Sequence, residues 1–170
     1  TERERDIYAS SQRITVTNER SHLIMGFIDV IKERAKSSIK TIVLPETEDM
    51  RTLEAADKIL KEGIAKLVLV GNEEAVKKSA AEGGFDISGA QIVDPATSEK
   101  TQGYIDKLVE LRQKKGMTPE QAKEILLNQY LYYGVMMVKM GDADGMVSGA
   151  CHSTADTIRP CLQILKAKPG

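Results

Sequence analysis

The chain has 170 residues, of which 41% are hydrophobic and 29% charged, and its formal net charge is −1. This length allows one domain with its own core and part of a second. A near-neutral chain creates no global field for nucleic acid or an anionic membrane, and 4% aromatics with no Trp disfavour base stacking. No apolar run approaches the ~20 residues that span a bilayer. Two cysteines ten positions apart form no disulfide framework, which predicts a reducing, cytoplasmic compartment.

The N-terminal part of the chain changes from polar sequence to a helical pattern. Residues 1–22 are polar and charged and are predicted to be an extension, in which 13–17 form either a short strand or an extended tail. A helix is predicted from Ser21, because apolar residues then recur at the helical period. These residues are Leu23, Ile24, Phe27, Ile28 and Ile31.

From residue 41 onward, short apolar strands alternate with helical patterns. The predicted strands are Thr41–Leu44, 66–72, 90–95 and 144–149. The predicted helices are one capped by Thr47 or Asp49 and ended by Gly63, then 73–82, 100–115 and 119–140. This alternation predicts a three-layer α/β/α, doubly wound, mainly parallel and Rossmann-like sheet. Ligands of such sheets bind beyond the carboxyl ends of the strands.

The run from Gly141 to Pro160 is the most informative part of the sequence. A predicted strand is followed by small residues and then by the start of a helix, where Ser153 or Thr154 is the predicted N-cap. The free N–H groups of the turn and of the helix start are expected to point outward and attract an anion. Arg159, one helical turn further on, adds a guanidinium suited to phosphate or carboxylate.

Several candidate residues stay open between a structural and a functional role. Cys151 beside His152 is either a nucleophile pair or a small packed residue next to a histidine that braces the loop. Arg112 either compensates a helix dipole or contributes to an anion pocket. The spacing of the cysteines and histidines predicts no metal ligands, and neither a Walker A loop nor a Gly-x-Gly-x-x-Gly motif is present.

The run around residues 147–163 resembles the phosphate acetyltransferase (phosphotransacetylase) family. It reads Val147-Ser148-Gly149-Ala150-Cys151-His152-Ser153-Thr154, then Asp156-Thr157-Ile158-Arg159-Pro160 and Leu162-Gln163. Further similar segments are 44–49 with Arg51, 67–72, 92–95 and 110–112, so that the similarity runs from about residue 23 to the end. The earlier segments are shared more loosely with phosphate butyryltransferases.

The resemblance implies an enzyme that moves an acetyl group between coenzyme A and phosphate, in a cytoplasmic homodimer of two-domain subunits. It implies that Ser153, Thr154, Arg159 and Arg112 bind the phosphate or acetyl phosphate. Coenzyme A is implied as a substrate, with no tightly bound cofactor and no metal. Residues 23–145 are expected to form the first, incomplete α/β domain, and 146–170 the interdomain motif and the start of the second.

The resemblance also implies that this chain ends near the middle of a family member. The family's proposed catalytic base lies in the other half, so no catalytic residue is expected here and the isolated chain is expected to be inactive. Two alternatives remain: specificity for a butyryl group, or a non-catalytic α/β module that binds an anion or self-associates.

Overall fold

A computed structural model describes residues 26–166, in two units that divide after residue 38. The first unit contains a helix over residues 26–37, α1, which confirms the described part of the helix predicted from Ser21. The predicted extension over 1–22, with its segment 13–17, lies outside the described residues. Among residues 26–166, no helix has the length and apolar character needed to cross a membrane.

The second unit is built on a parallel four-stranded sheet, as predicted. Its strands are β1 (Thr41–Leu44), β2 (Lys66–Val70), β3 (Gln91–Val93) and β4 (Gly145–Met146). They lie in the order β3-β2-β1-β4, and every neighbouring pair is parallel. The chain moves from β1 outward to β3 and then returns to the other side of β1. The winding direction therefore reverses between β1 and β4.

Helices connect and cover these strands. They are α2 (Met50–Glu62), α3 (Glu73–Gly83), α4 (Thr101–Arg112), α5 (Pro119–Asn128), α6 (Tyr130–Met140) and α7 (Thr154–Ile164), with a 3-10 turn at Gln113–Lys115. The predicted ends of α2 are confirmed: the Asp49 side chain accepts a hydrogen bond from the Arg51 N–H, and Gly63 ends the helix at φ 65°. Asp49, and not Thr47, is the cap, because the Thr47 hydroxyl donates to the carbonyl of Val70.

The two faces of the sheet carry separate hydrophobic clusters, which confirms the three layers. Residues that alternate along a strand point to opposite faces. Val43, Val68 and Val70 pack with residues of α4, α5, α6 and α7. On the other face, Leu44, Leu67 and Leu69 pack with residues of α2 and α3.

The single helix predicted over 119–140 is wrong, because Gln129 interrupts it at φ −127° and ψ 89°. The amphipathic α5 packs on α4, whereas α6 contacts both the sheet and α7. Residues 131–137 of α6 are all buried. One straight helix cannot lie along α4 and also enter the core against the sheet, so the chain changes direction at Gln129.

Gly134 allows α6 to approach the sheet closely at β1 and β4. A Cβ at this position lies 2.8 Å from Met146 Sδ and 3.1 Å from Val43 Cγ1. Gly134→Ala is therefore expected to lower the free energy of unfolding by about 1–3 kcal/mol through overpacking. Urea denaturation measures this change.

Gly103→Ala is the matched control, because this exposed position in α4 has nothing within 4 Å of the added Cβ. It is expected to raise the free energy of unfolding by about 0.5–1 kcal/mol through helix propensity. Equal effects of the two substitutions would contradict the close approach at Gly134.

Candidate functional site

The candidate site lies where the winding of the sheet reverses. Glu46 follows the carboxyl end of β1, and the segment over residues 147–153 follows the carboxyl end of β4. In open α/β sheets, a crevice forms at such a reversal because the connections on its two sides leave in opposite directions. The sequence located this region through the carboxyl ends of its predicted strands.

The carboxylate of Glu46 holds the loop that follows β4. Its Oε2 accepts hydrogen bonds from the N–H groups of Gly149 (2.6 Å) and Ala150 (2.8 Å). Its Oε1 accepts from those of Cys151 (3.1 Å) and His152 (3.0 Å). The side chain is buried, and the residue is only 1% exposed. The prediction that the turn amides point outward is therefore wrong for these four groups, since they bind an anion of the chain itself.

These hydrogen bonds decide the charge state of Glu46. Burial by itself raises the pKa of a carboxyl group. The hydrogen bonds from the backbone of Ala150 and Cys151 and from the side chain of His152 outweigh burial, and they hold the pKa of Glu46 well below its usual range. The carboxylate is consequently ionised at neutral pH and is a weak base.

The contact with Glu46 also explains why the predicted strand over 144–149 is only two residues long. The Val147 N–H still donates to the carbonyl of Val43 (3.0 Å), and this is where the ladder ends. From Gly149 onward the amides turn to the carboxylate and not to β1. Gly149 has a φ of 111°, a conformation that favours glycine.

Cys151 and His152 lie together beside this carboxylate. His152 Nδ1 is 2.9 Å from Glu46 Oε1, which confirms the interpretation of this histidine as a brace for the loop. Cys151 Sγ is 3.5 Å from His152 Nδ1. However, burial and the nearby carboxylates of Glu48 and Glu46 raise the pKa of Cys151 to about 12. The thiol stays protonated at neutral pH, which disfavours the nucleophile hypothesis.

Arg51 also binds the loop that follows β4. Its guanidinium donates to both carboxylate oxygens of Asp49 (3.0 and 2.6 Å) and to the carbonyl of Ala150 (2.5 Å). Sequence reasoning did not include Glu46 or Arg51 among the site residues. The available signal was the position of Glu46 just after a predicted strand, at the edge where ligands bind, and of Arg51 at the start of the helix that follows.

The helix that follows the loop begins as predicted. Ser153 is the N-cap of α7: its Oγ accepts from the Asp156 N–H (3.2 Å) and donates to the Asp156 carboxylate (2.6 Å). Ser153 and Thr154 are both exposed. The N–H groups of Thr154 and Ala155 are in the first turn, so they have no intrahelical acceptor and are available to an anion.

Arg159 borders a cavity of about 460 Å³ in front of this helix. The lining includes Tyr130, Tyr132, His152 and Asp156. The Arg159 side chain is 57% exposed, and its guanidinium pairs with Asp156 at 3.5 Å. Such an exposed, long ion pair contributes little to stability, so the guanidinium can change partners at low cost.

Arg112 lies at the end of α4, on the same side of the sheet. Its residue is half-buried, and within residues 26–166 its buried Nε has no hydrogen-bond partner. Burial raises the pKa of the Tyr132 phenol, and the charges of Arg159 and Arg112 oppose this rise. Both arginines therefore act on Tyr132, but Arg112 is not among the residues that line the cavity. The structure thus places Ser153 at the N-cap of α7, Thr154 and Arg159 in its first half, and Arg112 at the end of α4 on the same side of the sheet.

The fold defines a doubly wound α/β protein whose winding reverses between β1 and β4, with a cavity beside the start of α7. Residues 26–170 match the family described as Phosphate acetyl/butaryl transferase. The chain belongs to this family.

Named relatives agree with this assignment. The chain is 56% identical over 146 residues to the phosphate acetyltransferase of Acetivibrio thermocellus. This alignment covers 86% of this chain and 43% of the relative. The phosphate acetyltransferase of Clostridium acetobutylicum is 51% identical, with shares of 86% and 44%. The chain spans less than half the length of these relatives.

Solved structures give the same result for the fold. The EutD phosphotransacetylase from Staphylococcus aureus aligns with a TM-score of 0.78 at 42% identity. A phosphotransacetylase from Streptococcus pyogenes aligns with a TM-score of 0.80 at 39% identity. Each alignment covers 86% of this chain and 44% of the other.

Proposed function

We propose that this chain is part of an enzyme that catalyses the reaction acetyl-CoA + phosphate = acetyl phosphate + CoA. In this reaction a phosphate oxygen attacks the thioester carbonyl, the C–O bond forms, and the C–S bond breaks to release the thiol. The assignment to the family and the names of its relatives support this activity. Coenzyme A and phosphate are then substrates, and no tightly bound cofactor is needed.

We assign phosphate binding to Ser153, Thr154, Arg159 and Arg112. The observation that carries this proposal is that Arg159 lines a cavity at the exposed start of α7. The buried Nε of Arg112, which has no partner within the described residues, adds a donor that lacks an acceptor. The start of α7 adds amides and a favourable dipole, and Arg159 adds a second guanidinium. The same positive groups are suited to stabilise charge that develops on the carbonyl oxygen.

The described part of the chain supplies binding groups more readily than a general base. In the reverse direction, the thiol of coenzyme A attacks acetyl phosphate, and removing its proton, at a pKa of about 8.5, needs a base poised near neutral pH. Glu46 is a weak base because its oxygens accept four backbone hydrogen bonds. We therefore propose that the base is supplied from outside this chain and that the isolated chain turns over poorly.

Further features of the proposal concern assembly and location. The order β3-β2-β1-β4 supports a Rossmann-like sheet, and the division into 23–145 and 146–170 remains a prediction. The exposed apolar side chains of Val147 and Leu162, each 62% exposed, support a homodimer or further packing of subunits. The two free cysteines support a cytoplasmic location.

Binding of acetyl phosphate tests the assigned residues. Arg159→Gln is expected to weaken the binding of acetyl phosphate by at least about tenfold, because it removes a charge-assisted contact worth about 1.4 kcal/mol or more. A titration of the chain with acetyl phosphate, followed by NMR, measures this change. Arg34→Gln, at an exposed arginine of α1, is the matched control and is expected to leave the affinity unchanged.

Equal affinities of the wild type and Arg159→Gln for acetyl phosphate would show that Arg159 is not part of the phosphate site.

Turnover is measured as the coenzyme A-dependent consumption of acetyl phosphate and of butyryl phosphate. A complete phosphate acetyltransferase serves as the positive control. If the 170-residue chain alone gave rates close to those of the complete enzyme, this would contradict the proposal that its base lies elsewhere. A preference for butyryl phosphate would instead support the alternative acyl group in the family description.

A further inference from the structure

Three different donor atoms meet at the carboxyl ends of β1 and β4. They are Oε1 of Glu46, Sγ of Cys151 and Nδ1 of His152, and all lie within 4.8 Å of one another. Glu46 is more than 100 positions away from the other two in the chain. Only the parallel pairing of β1 with β4 brings it to them.

The separations of these atoms fit one face of a small tetrahedral coordination site. Cys151 Sγ is 3.6 Å from Glu46 Oε1 and 3.5 Å from His152 Nδ1, and Nδ1 is 2.9 Å from Oε1. Ligand bonds to Zn²⁺ of about 2.3 Å for sulfur and 2.0–2.2 Å for nitrogen and oxygen place tetrahedral neighbours about 3.2–3.6 Å apart. The two sulfur distances need no change, and the nitrogen–oxygen distance needs to open by only about 0.3 Å to meet that range.

The chemistry of the donors selects a class of metal ion. A thiolate, an imidazole and a carboxylate together suit borderline-soft cations such as Zn²⁺ and Co²⁺, and they do not suit Mg²⁺ or Ca²⁺, which prefer oxygen ligands. Two negative side chains, Glu46 and Glu48, lie beside the sulfur and favour a divalent cation there.

We propose that Glu46, Cys151 and His152 form a binding site for one thiophilic divalent cation of the Zn²⁺ class. Binding replaces the thiol proton of Cys151 by the metal and releases that proton to solvent. His152 coordinates through Nδ1 and carries its own proton on Nε2. Glu48 Oε1 is 3.9 Å from Nε2, beyond hydrogen-bond distance, so its charge lies near this N–H without a direct bond. The fourth coordination position stays open to solvent.

The position of this site links it to the loop that precedes α7. A metal at Oε1 of Glu46 competes with the hydrogen bonds from the N–H groups of Cys151 and His152 and from His152 Nδ1. The bonds from the N–H groups of Gly149 and Ala150 to Oε2 remain, so the loop keeps half of its backbone bonds to the carboxylate when the site forms. It does not depend on the proposed acyl transfer, because none of its ligands is assigned to phosphate binding.

Cobalt binding to the reduced 170-residue chain tests this inference. Titration with Co²⁺ alone is expected to give a thiolate-to-cobalt charge-transfer band in the near ultraviolet, which saturates at one ion per chain. Added Zn²⁺ is expected to abolish the band, and a large excess of Mg²⁺ is expected to leave it unchanged. Absence of a charge-transfer band overturns the proposal, as does loss of the band with Mg²⁺.

Cys161→Ser is the matched control, because Cys161 is the other free cysteine of the chain and lies half-buried in α7. Cys151→Ser is expected to abolish the band, whereas Cys161→Ser is expected to retain it. His152→Gln is expected to weaken Co²⁺ binding at least about tenfold, since it removes one of three protein ligands. A band that survives Cys151→Ser, that requires Cys161, or whose affinity is unchanged in His152→Gln overturns the site. Circular dichroism confirms that each variant is folded before titration.

Discussion

Glu46→Gln is expected to lower the free energy of unfolding by about 2–6 kcal/mol, which is one of the two largest effects that the structure predicts. The amide nitrogen of Gln replaces one carboxylate oxygen, so two of the four partly buried N–H groups that bind Glu46 face another donor. A donor shielded from water that loses its acceptor costs up to about 1–3 kcal/mol. Urea denaturation at neutral pH measures the change. The substitution is expected to increase the rate of hydrogen exchange more at the amides over 149–152 than at the amides of the sheet.

Glu54→Gln is the matched control, because this exposed glutamate of α2 forms only a surface pair with Lys58. It is expected to change the free energy of unfolding by less than about 1 kcal/mol. A similarly small effect of Glu46→Gln would show that the carboxylate does not organise the loop.

The same carboxylate gives a pH dependence with a definite sign. The pKa of Glu46 is lower in the folded chain than its unfolded value of about 4.3. Its stabilisation is therefore fully present above that unfolded value and decreases as the pH falls below it, towards the folded pKa. The difference in stability between wild type and Glu46→Gln should accordingly be constant near neutral pH and shrink in acid.

Tyr133→Ala is expected to lower the free energy of unfolding by about 3–5 kcal/mol, as removal of a fully buried aromatic ring does. Tyr133 is 0% exposed, and its ring meets that of Tyr104 edge-on at 5.1 Å between centroids. Its hydroxyl is 3.0 Å from Thr101 Oγ1, whose own proton goes to the carbonyl of Pro95. Tyr133 therefore donates to Thr101, and the pair connects α6 to α4 and to the end of β3.

Tyr133→Phe separates the hydroxyl from the ring in this experiment. It keeps the packing and removes one buried hydrogen bond, so a loss of only about 1 kcal/mol is expected. Urea denaturation of both variants gives the comparison. Equal losses for Ala and Phe would contradict the conclusion that ring packing dominates at this position.

Most of the secondary structure could be predicted because its signals are local. Thr41–Leu44 is a short β-branched and apolar run that stops at Pro45, and its predicted bounds are those observed. Asp49 and Gly63 cap α2 through contacts within a few residues. The break at Gln129 could not be predicted in the same way. The apolar pattern continues through it, and only the competing packing of α5 and α6 requires a change of direction.

The same distinction between local and distant contacts applies to the candidate site. The cap of α7 was predicted as Ser153 or Thr154, because a cap depends on groups within one turn; Ser153 is the cap, and its partner Asp156 is three residues away. The role of Glu46 was not predicted, because its partners lie 103 to 106 positions further along the chain. A predicted outward-facing loop of free amides is in fact a loop closed on its own buried carboxylate. This leaves the start of α7 and the arginines as the groups available to an external anion.

The sequence by itself determined where strands and helices alternate, the end of α2 at Gly63, the parallel three-layer sheet and the resemblance that the family match confirms. Those features depend on side-chain periodicity and on hydrogen bonds between residues close in the chain. The tertiary structure alone decided which groups meet at the reversal between β1 and β4. There the pairing of two distant strands brings Glu46 to Cys151 and His152, and no sequence spacing encodes that contact.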